Sequence, residues 1–186
     1  QWGAMVVASV RVGDDLARMT AAAREMGQAA DVIVVTGGAS VGERDLAKAM
    51  MEPLGLELLF SRVAIRPGKP AWFGRIADKL VLGLPGNPTS ALVTARLLLA
   101  PLLSMMQGRP AQAALSWEPA RLISPLAACD VRETFYRARL SSGVVSLLGF
   151  QESHAQKALA DADVLVRQSA NSPPVLAGEI VDALRL

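Results

Sequence analysis

Val32-Ile33-Val34-Val35-Thr36-Gly37-Gly38-Ala39-Ser40-Val41-Gly42-Glu43-Arg44-Asp45 is the stretch on which the fold turns. Residues 32–35 are aliphatic on both faces, as expected of an interior parallel strand covered by helices. The strand runs straight into a glycine-rich turn, and a helical pattern begins at Leu46. A second strand, Leu80 to Leu84, runs in the same way into Pro85-Gly86-Asn87-Pro88-Thr89-Ser90. Backbone amides free of bulky side chains, followed by a helix N-terminus, present directed donors and partial positive charge to a phosphate or oxyanion. Open α/β sheets hold ligands at the carboxyl ends of their strands, so two such turns point to one anion-binding site.

Working outward, Met5 to Val10 reads as a strand, and Asp14-Asp15 can cap a helix running from Leu16 to Ala30. Leu46 to Leu54 reads as a further helix, completing a βαβα order, and Glu57 to Ile65 is the next strand. Ala71 to Ile76 and Leu80 to Leu84 flank Ala77-Asp78-Lys79, a connection short enough for an antiparallel hairpin. The sheet is therefore expected to be mixed. Gly108-Arg109-Pro110 ends a long apolar helix, and the pattern then changes to short β-like runs. These lie at Ala120–Ile123, Thr134–Leu140, Val144–Leu148, Val164–Val166 and Glu179–Leu184, which points to a small β-barrel or sandwich. The expected division is residues 1–109 and 110–186.

The 186 residues are 52% hydrophobic with a mean hydropathy of +0.33, enough for a substantial core. Nineteen Lys and Arg against seventeen Asp and Glu leave +2, which is no basic stripe for nucleic acid. An aromatic content of 4% also disfavours base stacking. One cysteine, Cys129, and one histidine, His154, form neither an internal disulfide nor a zinc cage; a packed thiol in a reducing cytoplasm is expected. The apolar stretch Ser90–Met106 contains Arg96 and Pro101 and falls short of about 20 uninterrupted apolar residues, so a buried helix is expected rather than a membrane span. Gln1-Trp2-Gly3 has neither an initiator Met nor the layout of a secretion signal, and reads as a cut or incomplete start.

Within the first turn, Gly37, Gly38 and Gly42 permit close backbone approach and Ser40 offers a hydroxyl. Asp45 stands where a carboxylate can either hold a divalent metal or simply cap the following helix. In the second turn Pro85-Gly86 bends the chain, Asn87 suits an N-cap and Pro88 the first helical position; a purely structural turn would look the same. Arg66-Pro67-Gly68-Lys69-Pro70 places two cations on a loop stiffened by prolines, either to close on an oxyanion or merely to face water. No nucleophile is paired with a base, and adjacent Ser153-His154 is no dyad.

Read in order, Thr36 to Asp45, Arg66 to Pro70, Gly83 to Pro88, Arg132-Glu133-Thr134-Phe135-Tyr136-Arg137, Gln151-Glu152-Ser153-His154, Ala162-Asp163 and Ala177-Gly178-Glu179 resemble the molybdopterin molybdenumtransferases. That family includes the gephyrin E domain, and the likeness spans essentially the whole chain. It implies a three-layer α/β/α domain with a mixed, mostly parallel sheet, followed by a small all-β barrel-like domain. It also implies that adenylylated molybdopterin and molybdate are bound, the adenylyl bond is hydrolysed with Mg2+ assisting, molybdenum is transferred to the dithiolene and AMP leaves. By the same resemblance Asp45 is the essential carboxylate near metal and phosphate, Ser40 and the glycine amides contact the ligand, Arg66 and Lys69 hold anionic groups, and Ser153 approaches from the β tail. Pro85, Gly86, Asn87 and Pro88 form the second ligand turn.

The implied partner is a second copy in a homodimer whose N-terminal region completes the cleft, with the molybdopterin adenylyltransferase as a further partner and neither nucleic acid nor membrane. The chain departs from the family by lacking an extra first strand, expected between Met5–Val10 and Val32–Val35; its absence would leave a gap or force those two runs to pair. Glu152 stands where many relatives have Gly. Two other readings stay open: an adenylyltransferase-like enzyme using ATP, and a non-catalytic dimerisation or scaffold module.

Overall fold

The computed structural model describes residues 2–37, 46–149, 151 and 159–186. Contacts group the chain into two units, Gln1–Val63 with Pro70–Gly86, and Ala64–Lys69 with Asn87–Leu186.

In the first unit the helix α1 (Leu16–Ala29) starts where Asp15 accepts a hydrogen bond from the Arg18 amide at 3.0 Å, as an N-cap should. Strand β1 (Val32–Thr36) follows, then the short helix α2 (Leu46–Ala49). The helix expected through Leu54 breaks early because Pro53 lacks an amide donor. A single 3-10 turn, Glu52–Leu54, closes the segment, and Gly55 leaves it in the left-handed region. The expected strand Glu57–Ile65 also divides: β2 (Glu57–Phe60) and β3 (Ile65–Arg66) belong to different sheets. Strands β4 (Trp72–Ile76) and β5 (Lys79–Leu84) form the expected hairpin, from Trp72 opposite Gly83 to Ile76 opposite Lys79.

Sheet order is β1-β5-β4-β2. The sheet is mixed, as expected, but only β1–β5 is parallel; β5–β4 and β4–β2 are antiparallel. The parallel share is small because Met5–Val10, read as a strand, joins no ladder: Met5 and Val6 are each 83% exposed. Met5–Val10 and Val32–Val35 do not pair; β1 lies at the edge of this sheet with β5 as its partner among the named strands. The core of this unit is formed by Ala23, Ile33, Ala47, Met50, Met51, Trp72 and Val81.

In the second unit the helix α3 (Pro88–Met106) opens with Asn87 accepting from the Thr89 amide at 3.1 Å and Pro88 in the first turn. Pro101 has no amide to donate and its ring would strike a preceding carbonyl. The helix widens to a π-turn at Ala95–Leu99 just before it. By length and composition α3 could cross a membrane. Here Val93 packs with Phe135, Leu165 and Leu184, while Arg96 donates to the carbonyls of Arg185 and Ala114 at 2.7 and 2.6 Å, as a core helix would. That packing groups α3 with the β-rich tail, so the contact grouping differs from a division near residue 109.

Strands β6 (Trp117–Leu122), β7 (Glu133–Ser141), β8 (Val144–Leu147), β9 (Val164–Gln168) and β10 (Ile180–Arg185) follow the five expected short runs. They pair in the order β7-β8-β6-β10-β9, and β7 pairs again with β9, closing a five-stranded barrel. Its interior is filled by Ala120, Leu122, Ala138, Val145, Val164, Val166, Val181 and Ala183. β3 adds to β7 in parallel, with Arg66 opposite Thr134.

Candidate functional site

Gly37 and Gly86, one residue from each glycine turn, lie against each other. Because β1 and β5 run parallel in register, with Thr36 opposite Leu84, the residues after them emerge side by side at the carboxyl end of the sheet. A Cβ placed on Gly86 would lie 3.1 Å from the Gly37 Cα, and Gly37 itself has φ +89. Backbone thus faces backbone, with Pro85 buried below and Gly86 exposed. This is the arrangement expected of an amide-lined anion site, in which a side chain on Gly86 would crowd the Gly37 backbone; at Gly37 the constraint is its positive φ, since a Cβ there would meet nothing within 4 Å among the described residues.

In the second unit the cation loop has its own support. β3 anchors Arg66 beside Thr134, and Gly68, with φ +123, is buried so closely that a Cβ there would lie 2.4 Å from Thr94 Cγ2 and 3.0 Å from Ile65 Cδ1. Arg66 and Lys69 are exposed on either side of that buried glycine. Asn87 spends its side-chain oxygen on the α3 cap and is half-buried, while Pro88 is exposed. The buried Thr89 hydroxyl in the same first turn has no hydrogen-bond partner among the described residues.

Gly38, Ser40, Gly42, Asp45 and Ser153 lie outside the described residues. Among the described residues no group of three or more His, Cys, Asp or Glu side chains could hold a metal ion. His154 and Glu152 also fall outside them.

A polar network behind β7 was not legible from motifs. The Tyr136 hydroxyl donates to Gln168 Oε1 at 2.9 Å, and Gln168 Nε2 donates to the Ala127 carbonyl at 2.8 Å. The Cys129 thiol, packed as expected, contacts the Arg132 carbonyl at 3.1 Å and Thr134 Oγ1 at 3.4 Å. Burial pushes the Tyr136 phenol above its ordinary pKa, Cys129 adds in the same direction, and Arg66 opposes both. Arg137 is fully buried in the same strand, and that burial lowers its pKa. No clean alternation marks the network: Glu133-Thr134-Phe135-Tyr136-Arg137 holds one aliphatic or plain aromatic side chain, Phe135, and Gln168 lies between Arg167 and Ser169. Which strands pair, and so which of these side chains meet, is not carried by either run.

Residues 1–105 match the family described as a probable molybdopterin binding domain, and residues 119–186 match the MoeA C-terminal region, domain IV. The chain belongs to the MoeA family. It is 34% identical over 162 residues to the molybdopterin molybdenumtransferase of Haemophilus influenzae, an alignment covering 82% of this chain and 39% of that protein. It is 32% identical over 180 residues to the molybdenum cofactor synthesis protein cinnamon of Drosophila melanogaster, covering 92% of this chain and 30% of the relative. The crystal structure of the molybdopterin biosynthesis MoeA protein from Pyrococcus horikosii superposes with a TM-score of 0.77 at 32% identity, covering 92% of this chain and 41% of that one. This MoeA-family chain therefore spans less than half the length of each of these relatives.

Proposed function

We propose that the chain acts in molybdenum cofactor biosynthesis as the C-terminal portion of a molybdopterin molybdenumtransferase. Its substrates in this reading are adenylylated molybdopterin and molybdate. The adenylyl bond is hydrolysed, AMP departs, and molybdenum passes to the dithiolene sulfurs. The observation that carries the reading is the apposition of Gly37 and Gly86 at the carboxyl ends of two parallel strands, a backbone cradle suited to phosphate. Arg66 and Lys69, held out by a loop that only glycine can turn at position 68, support it with charge suited to an oxyanion.

Such a reaction needs no covalent nucleophile; fixed donors and cations stabilise charge as it develops on the departing phosphate. Gly37, Gly38, Gly42 and Gly86 supply amides, Ser40 and Ser153 supply hydroxyls, and Arg66 and Lys69 supply charge. Asp45 is assigned the catalytic carboxylate and the protein ligand of Mg2+, an ion that would neutralise phosphate charge when bound. The described residues do not by themselves form a cage for it, so no step is derived through the ion. The reading also includes a cytoplasmic homodimer, and the molybdopterin adenylyltransferase as the source of adenylylated substrate.

The test is AMP release from adenylylated molybdopterin in the presence of molybdate and Mg2+, by the protein that carries this chain. Asp45→Ala is expected to abolish release. Turnover equal to wild type would remove Asp45 from the mechanism.

A further inference from the structure

The first unit carries a half-open cavity of about 390 Å³ at the end of its sheet opposite Gly37 and Gly86. α1 lines it with Ala23, Arg24 and Gly27, β1 with Ile33 near its start, and the 3-10 turn with Leu54. The hairpin turn from Ile76 to Lys79 closes the remaining side.

The space is there because α1 is small where it faces the sheet. Ala23 and Gly27 stand one helical turn apart and so share a face. A Cβ on Gly27 would meet Ile33 Cδ1 at 3.5 Å, an ordinary contact, so neither close approach nor a positive φ requires glycine there. Glycine inside a helix costs about 1 kcal/mol relative to alanine, so this position gives up stability and leaves room.

Floor and rim differ in chemistry. Ala23 and Ile33 are buried, and Leu54 and Ile76 pack half-buried against the same core. On the rim, Lys79 Nζ lies 3.3 Å from Asp78 and 3.9 Å from Asp31, so its charge is answered by neighbours. Arg24 is exposed, and its guanidinium makes no ion pair or hydrogen bond with a described residue. The volume falls within the range of about 300–1,000 Å³ usual for small-molecule sites. The lining suits an apolar body, and the unanswered guanidinium suits an acidic group at its end.

We propose that this cavity is a second ligand site, which takes a small organic anion with its apolar body inside and a single carboxylate or sulfonate on Arg24. The site is separate from the glycine cradle: Ile33 and Gly37 are four residues apart along β1 and its exit, roughly 13 Å at strand rise. It stands or falls independently of the phosphate reading.

Anilinonaphthalene sulfonate carries both parts, and N-phenylnaphthylamine is the same body without the acid. Fluorescence titration of the purified chain reads the affinity for each, and nuclear Overhauser contacts to the Ile33, Leu54 and Ile76 methyls read the place. Wild type is expected to bind both, the sulfonate more tightly. Arg24→Gln is expected to weaken the sulfonate by about threefold to fivefold, the worth of a part-exposed ion pair, and to leave the neutral probe unchanged. Gly27→Leu puts a side chain into the cavity from a helix position that favours leucine over glycine. It is expected to weaken both probes by about tenfold or more without lowering the melting temperature.

No uptake of either probe by wild type overturns the proposal, as do Overhauser contacts confined to other methyls. Equal losses for the two probes in Arg24→Gln, or no loss for either, refute the pairing of an anion with Arg24. Unchanged affinities in Gly27→Leu refute the cavity as the place of binding.

Discussion

Replacing Gly68 by alanine tests whether the cation loop is held by its fit to α3. The added Cβ would arrive 2.4 Å from Thr94 Cγ2 and 3.0 Å from Ile65 Cδ1, on a backbone with φ +123. A side chain in that region costs about 1–3 kcal/mol in backbone strain. Forcing a methyl into a filled site adds about 1–3 kcal/mol. The sum, about 2–6 kcal/mol, is a large part of the stability of a small domain. Thr94→Ala removes the methyl in the way, though it also removes the hydroxyl that bonds the Ser90 and Ala91 carbonyls at 2.7 and 3.1 Å. It leaves φ unchanged, so rescue must be partial. Urea unfolding of wild type, both single variants and the double variant should therefore give a favourable coupling of about 1–3 kcal/mol between positions 68 and 94. Additive losses, or a Gly68→Ala loss below about 0.5 kcal/mol, would refute the argument that steric fit seats this loop.

Gly83→Ala should be worse tolerated, because its Cβ would lie 2.0 Å from Trp72 Cε2 and Nε1 in a fully buried site. A loss above about 3 kcal/mol is expected in thermal melts, with Trp72→Leu in the same chain restoring part of it; no restoration would mean the clash is elsewhere. Among the described residues Gly86→Ala meets only the Gly37 backbone, at 3.1 Å. Its stability should stay within about 1 kcal/mol while AMP affinity, read by calorimetry, falls; unchanged affinity would detach this turn from the phosphate site. Tyr136 has a raised phenol pKa in the fold, chiefly from burial, so the unfolded chain releases that proton first as pH rises. The stability it contributes is full below the ordinary value of 10.0 and is lost as pH climbs through the higher folded value. Tyr136→Phe should accordingly flatten the fall in denaturant midpoint above pH 10.0, and an unchanged alkaline slope would contradict the assignment.

The barrel strands and the cap of α3 were legible because each signal is local. A strand of five or six residues bounded by turn residues reads the same wherever it pairs, and Asn87-Pro88 caps a helix through its own chain neighbours. What local reading missed depends on partners distant in sequence. Met5–Val10 has the composition of a strand but pairs with no strand among the described residues, and composition cannot supply one. Glu57–Ile65 looks continuous, yet Ile65 joins the β7 edge and Phe60 the β4 edge, a choice made by tertiary contacts. Gln151 is similar: glutamine is an ordinary loop residue until the fold places its side chain on the Arg137 amide and carbonyl of β7.

Glycine alone does not mark a ligand site; what would occupy the place of its missing Cβ does. At Gly83 that place is taken by the Trp72 ring, and at Gly68 by a threonine methyl, so both glycines serve packing. At Gly86 the nearest atoms are the Cα and N of Gly37, and the residue is exposed although Pro85 before it is buried. Two main chains brought this close, with no side chain from either, support the proposed phosphate cradle. Gly83 and Gly86 stand three residues apart in one motif and are both small for steric reasons, but only the second faces outward. The phosphate reading therefore belongs to Gly37 and Gly86, and the remainder of the Gly83-Leu84-Pro85 stretch holds that pair at the end of the sheet.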